Sequence, residues 1–204
     1  MGRVLKTTSG GGSSGISASQ VNTLIQAQNE YEFITKVQST GNVSEYLVTA
    51  GIDHTKYSRH KYLITHCETY SNNYFSWHLL QADGTTRWSR GGAWRSNFNT
   101  NNSQQQSSIT SSSYLYFDGQ ARSSGFNLIG EIEIIDDKNR NDGTGDYYIT
   151  AYTRTSMGKE GGYWNMYTDG NAYFRNPNQD THGGISIRDT VKNITVLIFG
   201  MRRR

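Results

Sequence analysis

A chain of 204 residues is long enough for one domain with a buried core, or for a sandwich of two sheets. Only 34% of it is hydrophobic and no apolar run approaches the roughly 20 residues of a membrane helix, which excludes a helical span; 12% aromatic content, with 14 tyrosines and 22 glycines, excludes a disordered composition and favours short strands joined by turns. The charge of +3 belongs to the C-terminus, because without Arg202, Arg203 and Arg204 the 20 basic residues fall to 17 and equal the 17 acidic ones, which excludes the broad basic face of a nucleic-acid binder.

Residues 1–15, "MGRVLKTTSGGGSSG", read as a flexible arm, since a glycine-serine run holds no fixed shape alone. Within it Arg3, Val4, Leu5 and Lys6 can pair as a short strand with a neighbouring subunit. No signal-peptide pattern is present, and Lys6 stands where a myristoylation motif has Ser or Thr. The expectation is a protein made and kept in a cytoplasm unless it leaves as part of a particle.

A short helix is expected over residues 16–30. Ser17 and Gln20 form a capping box, Ile16 and Val21 a hydrophobic staple, and Val21, Leu24 and Ile25 share one face. A helix of about 12 residues is marginal alone in water. Its stripe must pack on the body of its own chain or on the same helix in sister chains, and a trimer is the favoured arrangement.

From Tyr31 the period becomes two. "YEFITKV", "VSEYLVT", "HKYLITHCETY", "YFSWHLLQ", "SYLYF", "FNLIGEIEII", "DYYITAYTRT" and "ITVLIFG" read as strands. Asp83-Gly84 and Asp169-Gly170 read as hairpin turns. Residues 31–201 are therefore expected to form an all-β, antiparallel, jelly-roll-like sandwich, followed by a basic tail at 202–204. Pro177 falls in a loop. Two polar insertions, Asn99–Ser113 and Asp136–Asp146, read as surface loops.

Few residues suggest chemistry. Gly10, Gly12 and Gly15, and Gly11 to Gly15, match nucleotide-binding and nucleophile-elbow patterns only because the arm is glycine-rich. Asp137, Asn139 and Asn141 alternate like a calcium loop, but Asp142 and Tyr148 replace the required Gly and Glu. The five histidines lack the spacing of a helical zinc site; His66 and His78, on neighbouring predicted strands, are the one pair expected to face each other. The single cysteine, Cys67, reads as a buried, inert thiol. No metal and no cofactor are expected. Glu131 and Glu133 share a strand face roughly 7 Å apart, a spacing open to glycoside hydrolysis but better explained by a solvated strand face. Trp88, Trp94 and Trp164 are candidate sugar-stacking rings, although a chain so poor in aliphatics must spend most aromatics on its core.

The segments "GISASQVNTLIQAQNEYEFITKV", "AGIDHTKYSRHKYLITHC" and "GGISIRDTVKNITVLIFGM" together resemble small virion structural proteins of tailed bacteriophages over about residues 16–201. The resemblance implies a non-enzymatic, usually trimeric assembly component: a tail fibre or tail-attached subunit, or a capsid decoration protein. It implies a virion location, other virion proteins as partners and no active-site residue. A host-glycan-binding module remains the alternative from another class.

Overall fold

The computed structural model describes residues 31–69, 76–88, 92–99, 104–109, 115–116, 126–141, 147–159, 165–176 and 181–203. All belong to the unit Tyr31–Arg204. The expected arm and helix, with Arg3, Val4, Leu5, Lys6, Val21, Leu24 and Ile25, lie outside the described residues, as does Trp164.

Among the described residues ten strands follow in order: β1 (Tyr31–Val48), β2 (Tyr57–Thr69), β3 (Ser76–Gln81), β4 (Gly92–Asn99), β5 (Gln104–Ile109), β6 (Leu115–Tyr116), β7 (Phe126–Asn141), β8 (Tyr147–Lys159), β9 (Asn165–Asn176) and β10 (His182–Arg202). They join into one antiparallel sheet of order β5-β4-β9-β8-β7-β2-β10-β3-β6, with β1 on the flank of β10. No helix occurs among the described residues.

Alternation of side chains decides which face is inside. Tyr62 and Ile64 on β2, Ile132 and Ile134 on β7, Ala151 and Met157 on β8, and Ile194, Val196 and Ile198 on β10 are all buried. Their neighbours Lys61, Glu131, Glu133 and Arg154 point to the other face. Each fully buried Ile or Leu contributes about 2 kcal/mol by leaving water. The sheet is curled into a half-barrel. Trp77 on β3 and Phe174 on β9 stand five strands apart in the order, about 24 Å on a flat sheet, yet their ring centroids lie 6.2 Å apart. The inner face closes on itself, and these two rings join its flanks.

Several boundaries differ from the sequence expectation. The first two expected strands are one, β1, carried through Gly41 at φ 85°. Asp83-Gly84 does turn the chain: Gly84 takes φ 69°, and Asp83 Oδ1 accepts from the amides of Thr85 (2.8 Å) and Thr86 (2.7 Å). Asp169-Gly170 does not. Both residues lie inside β9, paired with β4 on one side and β8 on the other, and two flanking strands outweigh a local turn preference. The polar insertion 99–113 contains β5, which pairs with β4. The second insertion is partly strand, because β7 continues to Asn141 and buries Asp136. The last strand starts at His182 and reaches Arg202, inside the expected tail.

Candidate functional site

Three histidines meet at one end of the inner face. His60 lies on β2, opposite Ile134 of β7 and Gly200 of β10. Asp136, two residues beyond Ile134, therefore shares its face, one step along the sheet. His54 comes from the connection between β1 and β2. That connection is held by Asp53, whose Oδ1 accepts from the Thr55 amide at 2.9 Å, and by Arg203, whose Nε donates to the His54 carbonyl at 2.7 Å.

His182 arrives through a bulge. Its register opposite Gln81 breaks before Gly184 pairs with Leu80, so one extra residue sits on β10. Residues three apart on a regular strand face opposite sides; the extra residue turns His182 to the side of Ile185 and Ile187. Only glycine fits here. A Cβ on Gly183 would lie 2.0 Å from the Gln81 carbonyl oxygen, and Gly184 has φ 126°.

The rings stack edge to face, with centroids 5.1 Å apart for His54–His60, 4.5 Å for His54–His182 and 4.9 Å for His60–His182. One nitrogen from each lies within 4.8 Å of the others. His54 Nε2 is 2.6 Å from the His182 carbonyl oxygen. A carbonyl only accepts, so that nitrogen carries a proton. The other ring nitrogen, Nδ1, faces Asp136 Oδ2 at 3.4 Å. Both ring nitrogens of His60 and of His182 are buried and lack a hydrogen-bond partner among the described residues. Burial, reinforced by His54, holds the His60 imidazole down to about 4. Burial and both neighbouring rings push His182 well below its ordinary value. Neutral imidazoles with inward lone pairs can bind a transition-metal ion.

The other sequence-derived candidates lie elsewhere. Glu131 and Glu133 sit on the outer face in a cross-strand ion ladder. Lys61 Nζ is 3.6 Å and Arg154 Nη1 3.7 Å from Glu131, while Arg59 Nη1 donates to Glu133 at 3.2 Å and Arg154 Nε to Asp169 at 3.2 Å. The Tyr31 hydroxyl also donates to Glu133, and burial together with this bond pushes the phenol up. An open groove of about 460 Å³ runs along the ladder, bordered by exposed Tyr152 and by Asn171.

His66 and His78 are not brought together: they pair with Thr195 and Ser186, nine positions apart on β10. Trp88 is only 5% exposed and belongs to the core, so it offers no face to a sugar. Trp94 lies on β4 opposite Asn171 and Ser108. Cys67 is buried, and burial pushes its thiol up. Nothing in the spacing of His54, His60 and His182 marked them; the one available hint was "HGG", a histidine before a pair of glycines.

Fold and site together define a class: an all-antiparallel β protein with a polar, histidine-lined end to its inner face. No protein family, curated protein or solved structure matches the chain.

Proposed function

We propose that this protein is a non-enzymatic structural subunit of a tailed-phage virion, a tail fibre or tail-attached component. In this reading the curled sheet is the body of a jelly-roll-like sandwich, preceded by an anchoring arm (residues 1–15) and a short helix (16–30) that trimerises through Val21, Leu24 and Ile25. The supporting observation is β1. It is 18 residues long, has β10 as its one neighbour among the described strands, and starts at Tyr31, next in sequence after the expected arm and helix. Three register shifts interrupt its pairing with β10, and such irregularities blunt a flank against indiscriminate strand addition. Attachment then falls to the preceding segment, where ordering costs about 1–2 kcal/mol per residue and needs a partner surface to offset it.

Deleting residues 1–15 should leave a folded body that no longer enters particles; normal incorporation would refute the anchoring role. Leu24→Asp should convert a trimer to monomers in sedimentation, and a wild-type monomer refutes the oligomer. Density confined to the tail supports the fibre reading, whereas density spread over the shell supports capsid decoration.

A glycan-binding reading is favoured by one observation, the outer groove with Tyr152 46% exposed beside Asn171 and Asp169. A planar ring beside polar groups suits a sugar face. Glycan-array binding that is lost in Tyr152→Ala would carry it, and no binding to host polysaccharide would end it.

A further inference from the structure

We infer that His54, His60 and His182 bind one zinc ion, with Asp136 completing the site, and that the ion ties the β1–β2 connection to three strands of the sheet.

Geometry carries this. The donors come from the 49–56 connection, β2, β7 and β10, and the histidine donor atoms already lie within 4.8 Å of one another. A tetrahedral ion with bonds of about 2.05 Å holds neighbouring ligand atoms about 3.3 Å apart. The His54 Nδ1 to Asp136 Oδ2 separation, 3.4 Å, already has that value. A cation seated between these two atoms would be held by both of them. Binding would require the histidine donors to close from that 4.8 Å spacing.

Burial supplies the second argument. His60 and His182 are 0% and 1% exposed, and four ring nitrogens have no hydrogen-bond partner among the described residues. Leaving buried polar atoms unpaired is costly, and a metal satisfies one nitrogen on every ring. The remaining part of the design matches as well. The His54 Nε2–H donates to the His182 backbone carbonyl, the outer contact that commonly fixes the orientation of a metal-bound imidazole.

The donor set selects the ion. Three imidazoles and one carboxylate suit zinc, which accepts nitrogen and oxygen ligands in a tetrahedron, whereas calcium and magnesium prefer all-oxygen shells. Four protein ligands make a closed site, and closed sites are structural. The bulge at Gly183–Gly184 is then explained, because it is the device that turns His182 inward. The inference is independent of the virion reading: it concerns the isolated chain, whereas that reading is decided in particles.

The test uses the full-length protein, purified without a polyhistidine tag and dialysed against metal-depleted buffer. Elemental analysis should find about one zinc per chain. EDTA should lower the melting temperature by about 10 °C, and zinc should restore it. Cobalt substitution should give the visible absorption of a tetrahedral ion. His54→Gln, on a partly exposed connection, should abolish stoichiometric binding while the far-ultraviolet circular dichroism stays unchanged. His60→Gln should do the same, and if it does not fold His54→Gln decides. Asp136→Asn should weaken affinity about 10- to 100-fold. His66→Gln, an exposed histidine paired with Glu68, should keep full zinc. Background zinc in the wild type with a melting temperature indifferent to EDTA and zinc, or undiminished zinc in His54→Gln, would overturn the inference.

Discussion

The two faces of the sheet hold their polar groups in opposite ways. On the outer face Lys61, Glu131, Arg154 and Asp169 alternate in sign across four strands, each charge meeting a counter-charge while still touching water. On the inner face His60, His182 and Asp136 are buried beside His54, and the imidazole nitrogens of His60 and His182 meet no hydrogen-bonding group among the described residues. Water and salt screen the ladder, so its members are individually replaceable. The inner cluster lacks that screening and depends on exact placement by a bulge. The same β-strand alternation thus produces a tolerant surface and an intolerant interior.

The largest effect should come from breaking the inner closure. Trp77→Ala removes the ring that meets Phe174 across the curl and should cost about 4 kcal/mol, read as a shift in the urea midpoint at constant slope. Gly183→Ala comes next. Its Cβ would collide with backbone rather than a movable side chain, and about 3 kcal/mol should be lost together with the position of His182. A stable Gly183→Ala protein would show that the bulge is not what aims this histidine.

The outer face should respond weakly. Glu131→Gln breaks two partly exposed ion pairs and should cost less than about 1 kcal/mol, diminishing further in high salt. A loss as large as that of Trp77→Ala would erase the contrast between the faces. The smallest effect belongs to the Asp83 turn. Hydrogen bonds from Thr86 and Thr85 hold its carboxyl down to about 2, below the usual value of about 3.9. Its contribution is fully present above about pH 4 and fades as pH falls towards 2, because the unfolded chain then binds the proton more readily. Asp83→Asn should flatten the acid limb of the stability curve in that window alone.

Much of the fold was readable from alternation. Tyr62 and Ile64 against Lys61 and Leu63, and Ile132 and Ile134 against Glu131 and Glu133, marked strands and faces correctly because a half-buried strand needs only period two. Asp83-Gly84 was readable because its partners lie within a few residues. Asp169-Gly170 carries the same local signal, but β4 and β8 pair through it, and that pairing joins residues far apart in the chain. The histidine site was hidden for the same reason. His60 and His182 are brought together by curl and bulge, neither of which leaves a spacing in the sequence. The outer groove was partly legible through Glu131 and Glu133, but Trp88, chosen for stacking, turned out to be core.

The placement of β10 has a consequence for biosynthesis. It pairs with β1, β2 and β3, and its final ion pair joins Arg202 to Glu32 across 170 positions of chain. The ribosome therefore releases the first three strands well before their common partner exists. Such distant pairing slows folding and leaves hydrogen-bonding edges exposed in the meantime. The nascent polypeptide should be a chaperone client until β10 emerges, and the sheet should then form in one cooperative step.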